Sequence, residues 1–160
     1  MPGRLAREIQ QKRPFQRLEE EAYVNILTTA DFLGQTSAEA LEAGGLSVSQ
    51  YSALRILRGC YPDGLPCSVI GERMISRDPD ITRLLDRLEK RGLIERRRDD
   101  KDRRVVITKI TPAGLQLLEG LDHPMEQAID SSLGHLGLER LRQLIDLLER
   151  IREGRLVAPR

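Results

Sequence analysis

The chain has 160 residues, of which 39% are hydrophobic and 3% aromatic, and its formal net charge is +1. This composition excludes a disordered chain, and this length predicts one domain whose core needs neither disulfides nor metal. No apolar run approaches the roughly 20 residues that span a bilayer, and the first residues lack the apolar segment of a signal peptide. We therefore expect a cytoplasmic protein without membrane contact, mainly α-helical because leucine dominates its apolar positions.

The positive charge is concentrated in one part of the chain. Residues 73–109 contain 13 Lys and Arg against eight Asp and Glu, a net charge of +5, so the remaining residues carry −4. A surface that faces nucleic-acid phosphates requires such a concentration. A solvated charged face is the commoner explanation when such a segment is considered alone.

The pattern of the first 45 residues predicts a basic arm followed by two helices. Residues 1–13 are typical of a loosely held arm that touches DNA or, more commonly for a terminus, is frayed. A helix is predicted over 14–34, and its apolar stripe is broad enough to require burial on more than one side. A short helix is predicted over 37–43, before two consecutive glycines.

Two short helices are predicted next, joined by a turn. Ser47 and Gln50 have the spacing of a capping box, and the helix that they open ends near Gly59. Residues 61–66 have turn composition, and a second short helix is predicted over 67–75.

A third helix completes a helix-turn-helix pattern. Asp78 is predicted to cap it, with Pro79 at the first helical position and Gly92 at the end. One face of the helix is apolar and carries Ile81, Leu84, Leu85 and Leu88. A short connection between two helices, the second amphipathic with polar residues at its start, is typical of DNA-binding proteins.

Two antiparallel strands are predicted over 93–97 and 105–110, with a polar hairpin tip at 99–103. Thr111 and Pro112 then repeat the cap-and-proline start of a helix. The last helix is apolar over so much of its circumference that we expect it to need a partner beyond one small domain. Its apolar residues are Leu138, Leu141, Leu144, Ile145, Leu148 and Ile151.

Residues 46–114 resemble the MarR-type winged-helix transcriptional regulators. The residues that carry the resemblance are Leu46-Ser47-Val48-Ser49-Gln50-Tyr51, the helical segment 81–94, the wing residues Asp102, Arg104, Ile110 and Thr111, and Thr-Pro-Ala-Gly at 111–114. Recognition helix, wing signature and flanking helices in one order make the resemblance specific.

The resemblance implies a mainly α fold with a small β-hairpin wing. In such a winged helix-turn-helix protein, residues 46–112 are the DNA-binding lobe, and 14–34 and 113–153 are dimerisation helices. It implies an obligate homodimer on a pseudo-palindromic double-stranded DNA operator, with recognition helices about 34–36 Å apart. Such regulators are usually repressors that a small phenolic or lipophilic effector releases.

The polar face of the recognition helix predicts contacts with bases and phosphates. Arg83 is expected to fork onto O6 and N7 of guanine, Thr82 to touch a base, and Arg87 to contact a phosphate. Asp80 is a candidate acceptor for cytosine N4, and the acidic segment 78–80 departs from the Ser/Thr-rich entry more usual in the family. The alternative is that the arginines only form surface ion pairs.

In the wing, Arg104 is expected to enter the minor groove, held in position by a charge-assisted pair with Asp102. The other wing cations are expected to contact phosphates, and they are Arg97, Arg98, Lys101 and Arg103. A structural Asp–Arg bridge that stiffens the hairpin is the alternative, and it is compatible with DNA contact.

The remaining residues favour no catalytic or metal site. Cys60 and Cys67 flank the predicted turn, and a lowered thiol pKa at the helix start would support a redox switch, although small buried hydrophobes are commoner. His123 and His135 have no partner ligands at matching spacing, so no metal or cofactor is expected. With no nucleophile–base constellation we expect no enzyme. A winged helix that binds protein instead of DNA stays an alternative, because the total charge is near neutral.

Overall fold

The computed structural model describes residues 4–75, 80–100 and 102–156. Its helices are α1 (Arg4–Glu8), α2 (Leu18–Leu41), α3 (Val48–Arg58), α4 (Cys67–Arg73), α5 (Ile81–Lys90), α6 (Pro112–Leu133) and α7 (Gly137–Leu156). Its strands are β1 (Leu65–Pro66), β2 (Ile94–Arg98) and β3 (Val106–Ile110), in the antiparallel order β1-β3-β2. Single 3-10 turns, Glu42–Gly44 and Gly134–Leu136, follow α2 and α6. The predicted fold class, mainly helical with a small β wing, is confirmed.

The amino-terminal segment is not the loose arm that was predicted. Residues Arg4–Glu8 form α1, and Leu5 and Ala6 are buried. Glu8 lies close to Thr28 and Phe32 of α2, with which it lines a shallow depression. Burial of two apolar side chains therefore orders a segment whose charge suggested exposure.

Helix α2 is longer than predicted and absorbs the separate helix expected over 37–43. Gly34 does not end it, because one glycine inside a helix costs only about 1 kcal/mol relative to alanine. The hydroxyl groups of Thr36 and Ser37 donate to the carbonyl oxygens of Phe32 and Leu33. These hydroxyls bond within the helix, and α2 packs along α6, so tertiary packing outweighs the weak local stop signal.

The helix-turn-helix forms around one apolar core. The predicted capping box is confirmed: Ser47 Oγ accepts from the Gln50 amide at 3.2 Å, and Gln50 Oε1 accepts from the Ser47 amide at 3.0 Å. Helices α3, α4 and α5 share a buried cluster whose fully buried members include Leu54, Leu57, Ile70, Leu85 and Leu88. The capping box thus sets where α3 begins, and the cluster sets how α5 packs against it.

The sheet has one strand more than predicted. Residues Leu65–Pro66, expected to be part of a turn, pair with β3 in the register Leu65↔Thr108 and Pro66↔Ile107. Gly64 permits this approach: its φ is +79°, and an added Cβ would lie 2.5 Å from the Thr108 carbonyl oxygen. The strands of the wing, β2 and β3, are therefore attached through β1 to the turn before α4.

Two contacts fix the start of the long helix α6 and its packing against α3. Thr111 caps α6 by accepting from the Gly114 amide at 3.1 Å, as predicted. Arg58 of α3 forms a bidentate pair with Asp122, with nitrogen–oxygen distances of 2.8 to 3.0 Å. The hydrogen bond to Asp122 raises the pKa of Arg58 above its usual value.

Over the described residues, no helix is both long and apolar enough to cross a membrane.

Candidate nucleic-acid interface

The start of the recognition helix differs from the prediction. Asp78 was expected to be the cap, and both it and Pro79 lie outside the described residues. Helix α5 begins at Ile81, and its cap is Asp80, whose Oδ1 accepts from the Arg83 amide at 3.1 Å. The cap therefore lies two residues later than the Asp-Pro pattern predicted. Asp80 caps the helix, a role that is separate from the predicted contact with a base.

The exposed face of α5 carries the three predicted contact residues. Thr82, Arg83 and Arg87 are exposed, whereas Leu84, Leu85 and Leu88 are buried. Nε of Arg83 lies 3.0 Å from Oδ2 of Asp80. The side chain of Arg87 makes no hydrogen bond or ion pair with the described residues. The apolar stripe thus predicted correctly which side chains reach solvent.

A polar notch of about 250 Å³ lies between the start of α3 and the exposed face of α5. It is lined by Ser47, Ser49, Gln50, Asp80, Arg83, Leu84 and Arg87. The start of a helix favours anions because its first amide groups are unpaired and its dipole is positive there. The notch therefore adds Ser49 to the candidate interface, a residue that was not singled out from the sequence. The Ser47–Gln50 capping box, which places these hydroxyls at a helix start, was the available signal.

The cations of the wing are exposed, as predicted. Arg98, Arg103 and Arg104 face solvent, and Arg97 pairs with Glu95 at 3.1 Å on the surface. Lys101 lies outside the described residues. An exposed ion pair contributes little to stability, so Arg97 can exchange Glu95 for a phosphate at small cost.

The predicted pairing of Asp102 with the Arg104 side chain is not observed. Asp102 Oδ1 accepts instead from the Arg104 backbone amide at 3.0 Å, and the Asp102 carbonyl accepts from the Val105 amide at 2.9 Å. The Arg104 guanidinium makes no ion pair with the described residues. Asp102 therefore shapes the hairpin turn, as aspartate commonly does by bonding to a backbone amide two residues on.

Arg96 joins the wing to the recognition helix, and the sequence argument missed it. Its guanidinium pairs with Glu89, with Nε 2.9 Å from Oε2, and also with Asp86, while its backbone amide donates to Glu89 Oε1 at 3.0 Å. These hydrogen bonds raise the pKa of Arg96 and lower the pKa of Glu89. Strand alternation was the available signal, because it puts Arg96 on the same face as buried Ile94.

The far end of α5 is also tied down. Arg91 follows the helix, and its two terminal nitrogens donate to the carbonyl oxygens of Gly45 and Gly44 at 2.7 and 2.9 Å. Asp80 caps one end, Arg91 binds the loop beyond α2 at the other, and Arg96 holds the middle. Helix α5 is thus fixed at both ends and at Asp86, as would be required of an element that places side chains in a groove.

Cys67 does not have the lowered thiol pKa that a redox switch requires. Burial raises the pKa of Cys67, an effect larger than the opposing attraction of Arg96. Cys60 Sγ lies 3.4 Å from an Arg73 nitrogen, and both cysteines are half-buried free thiols. The raised pKa of Cys67 and its partial burial favour the alternative interpretation of this residue as a small, partly buried hydrophobe.

The sequence matches the model of the MarR family over residues 46–106. MhqR, an HTH-type transcriptional regulator of Bacillus subtilis, is 31% identical over 110 residues, which cover 67% of this chain and 72% of MhqR. Alignments with three curated relatives span between 65% and 72% of the relatives' own length.

Solved structures show the same architecture. The MarR transcription factor from Planctomyces limnophilus is 41% identical, with a TM-score of 0.66, and the match covers 84% of this chain and 98% of that one. CouR from Rhodococcus jostii RHA1, solved with p-coumaroyl-CoA bound, is 25% identical, with a TM-score of 0.73, over 86% of this chain and 95% of CouR.

Proposed function

The chain belongs to the MarR family of transcriptional regulators, and on that premise we propose that it acts as a homodimeric repressor. It binds a pseudo-palindromic double-stranded DNA operator and leaves it when a small aromatic or lipophilic acid binds. The observation that carries the proposal is the fixed joining of a cation-bearing recognition helix to a basic wing through Arg96.

Helix α5 reads the major groove in this proposal. The B-DNA major groove is about 12 Å wide and admits a helix whose opposite face stays in the protein core. Arg83 contacts guanine, Thr82 touches a base edge or a thymine methyl group, and Arg87 binds a phosphate. Ser49 at the start of α3 donates to a second phosphate, because serine hydroxyls are common phosphate ligands. This phosphate lies outside the notch, because the carboxylate of Asp80 is part of the notch lining.

The wing supplies the minor-groove contact. The Arg104 side chain is exposed, and its backbone amide is fixed by Asp102, so the guanidinium can insert where a narrow groove concentrates negative potential. Arg97, Arg98, Lys101 and Arg103 bind the flanking phosphates. Because these contacts are electrostatic, they strengthen binding to every DNA sequence alike.

Apolar surface on α2 and α7 supports a homodimer. Large side chains are exposed on both helices, namely Leu18, Tyr23, Leu27, Phe32, Leu138, Ile145, Leu147 and Ile151. A monomer rarely leaves so many apolar side chains in water on two helices. A second copy of the same surface is the partner that closes this interface with two-fold symmetry, and the two-fold axis matches a pseudo-palindromic operator.

A cavity of about 380 Å³ is the proposed effector site. It lies among α2, α3, α4 and α6, its apolar lining includes Leu41, Ile56 and Met125, and Arg55 and Arg73 also line it. This volume is within the range of about 300–1,000 Å³ that is usual for ligand sites. Two cations beside an apolar wall favour a small aromatic carboxylate, and α4, which ends at Arg73, directly precedes the recognition helix in the chain.

A larger groove, of about 520 Å³, is the less suitable site. Its only cation, Arg91, already donates to the carbonyl oxygens of Gly44 and Gly45. A carboxylate would have to displace two charge-assisted hydrogen bonds to bind there. The cavity bordered by Arg55 and Arg73 carries no such obstacle at Arg55, whose guanidinium lies over the Tyr51 ring at 5.8 Å from its centroid.

Selection of binding sites from random duplex DNA tests the proposal. Wild-type protein is expected to enrich a pseudo-palindrome, and Arg104→Ala to bind every sequence about 10-fold more weakly, with the salt slope reduced by about one. Arg152→Ala, an exposed cation of α7, is the matched control and should bind like wild type. If wild-type protein enriches nothing, the DNA-binding proposal is wrong; if Arg104→Ala matches wild type, the wing assignment is wrong.

A panel of benzoates and cinnamates tests the effector site. The operator affinity of wild-type protein is expected to fall at least about 5-fold with the acid that binds, the lower end of usual allosteric coupling. Arg55→Met should keep operator affinity and lose the response, because it removes the cation but keeps the apolar wall. The corresponding neutral amides are the control ligands. A full response from Arg55→Met would place the effector elsewhere.

A further inference from the structure

The carboxylate of Asp80 contacts Arg83 in two ways. Its Oδ1 accepts from the Arg83 backbone amide at 3.1 Å, which caps α5. Its Oδ2 lies 3.0 Å from Nε of the same residue's guanidinium. A serine or threonine cap has one oxygen and could make only the first contact. The second contact is therefore a specific property of aspartate at this position.

The ion pair contributes little to the stability of the fold. The side chain of Arg83 is 78% exposed and that of Asp80 is 46% exposed, and exposed pairs between long side chains are commonly close to neutral in stability. What the pair changes is the freedom of the guanidinium. Arg83 otherwise samples many rotamers in water, whereas the contact at Nε favours those that keep the guanidinium beside the helix start.

The geometry of the pair leaves the two terminal guanidinium nitrogens of Arg83 available for a base. Oδ2 of Asp80 pairs with Nε, and the Arg83 side chain is 78% exposed, so the edge formed by the two terminal nitrogens can still meet a base. That edge has the donor spacing that matches O6 and N7 of guanine. The negative charge of Asp80 also opposes a phosphate at the same place, because two anions would then compete for one cation.

We propose that Asp80 is a positioning residue that directs Arg83 onto a guanine and away from phosphates, so that it sets base specificity at that position. This inference rests on the proposed DNA binding and adds to it the residue that makes Arg83 selective. Asp80 contacts no base itself. The operator half-site is expected to contain a guanine whose selection depends on both residues together.

Site selection with Asp80→Ser separates the two contacts of the carboxylate. Serine retains the cap, so the unfolding transition should match wild type, but it cannot hold Nε. The preference for operator over random DNA is expected to fall about 2- to 12-fold per half-site, the ordering cost of one long side chain. The loss should lie at the single guanine position, while binding to random DNA stays equal or increases. If Asp80→Ser folds poorly, Asp80→Asn is the second variant. It keeps Oδ1 for the cap but turns an amide donor toward Nε, so it also cannot accept from Arg83 there.

A double-mutant cycle shows whether Asp80 acts through Arg83. Arg83→Ala should lose the guanine preference, and adding Asp80→Ser to it should change the base preference no further. A merely structural role would instead weaken selection at all positions equally, and that result overturns the proposal. So does an Asp80→Ser protein with wild-type guanine preference, or one that changes only a neighbouring base and thereby shows direct reading by Asp80. Failure of wild-type protein to enrich any site would instead overturn the DNA-binding proposal itself, and this inference with it.

Discussion

Replacing Arg96 by methionine is expected to lower the free energy of unfolding by about 2 kcal/mol at neutral pH, the scale of lost hydrogen bonds to charged groups. The side chain is only 22% exposed, and its guanidinium lies between Glu89 and Asp86. Methionine keeps most of the volume of the side chain but none of its donors. Two carboxylates would then face each other without a cation, and partial exposure limits the loss to less than that of a fully buried pair.

The effect of Arg96→Met on stability should depend on pH. The hydrogen bond from Arg96 is the main cause that lowers the pKa of Glu89 below its usual value of 4.5. A carboxyl whose pKa is lower in the folded state stabilises the fold above its unfolded pKa, and this contribution disappears as the pH falls through the folded value. The difference between wild type and Arg96→Met in urea unfolding should therefore be largest near neutral pH and shrink below about pH 4.5.

The same substitution should weaken operator binding at least about 10-fold. Without Arg96 the wing can shift relative to α5, and small shifts of the DNA-contacting side chains from their binding geometry have effects of this order. Arg96 faces carboxylates rather than phosphates, so the dependence of affinity on salt should keep its slope. Arg98→Met is the matched control on the same strand: it is exposed, so stability should be unchanged while the salt slope falls by about one. If Arg96→Met instead lowers the slope and leaves stability intact, Arg96 is a phosphate ligand and not a link between helix and wing.

The role of Arg96 shows what the charge pattern could not reveal. Arg96, Arg97 and Arg98 are consecutive and chemically identical, so counting charge treats them alike. Strand pairing separates them: Arg96 stands opposite buried Thr108, whereas Arg97 and Arg98 stand opposite Ile107 and Val106 and face solvent. Alternation along β2 places Arg96 and Arg98 on the face of buried Ile94. The packing of β2 against α5, a contact between distant elements, then decides that Arg96 is the one that meets Asp86 and Glu89.

The elements that were predicted correctly have strong local causes. The capping box of Ser47 and Gln50 and the cap of Thr111 before Pro112 are contacts within three residues, so the sequence contains both partners. The apolar stripe of α5 predicted its buried face for the same reason. The short strand β1 was missed because two residues have no readable periodicity, and their pairing partner lies some 40 residues away in β3.

The start of α5 was predicted two residues early because proline and aspartate were given too much weight. An Asp-Pro pair is a frequent helix start, yet the cap is decided by which side chain reaches the free amides. Asp80 does so, and its second oxygen also holds Arg83. The segment that departs most from the family pattern thus contains the residue that we propose directs Arg83.

Replacing Leu147 by glutamate is expected to dissociate the dimer and to weaken operator binding at least about 100-fold, since the second half-site then no longer binds intramolecularly. Helix α7 has seven Leu and Ile residues between 138 and 151, yet none of its described side chains is buried within one chain. Leu147 is 59% exposed. A charge at that position is incompatible with the apolar centre of an interface, where charged residues are depleted.

The measurements for Leu147→Glu are the solution mass and the affinity for a full operator and for one half-site. The mass should fall from twice 18.2 kDa to 18.2 kDa, and affinity for the half-site should stay unchanged because the lobe of residues 46–112 is intact. Arg142→Glu also makes an exposed position of α7 acidic, but on a face about 140° around the helix from Leu147, and should remain dimeric. A Leu147→Glu protein that stays dimeric and binds the full operator like wild type would show that two copies meet elsewhere. The apolar side of α7 would then have to be covered by a different partner, because a helix of this composition is not stable with that surface in water.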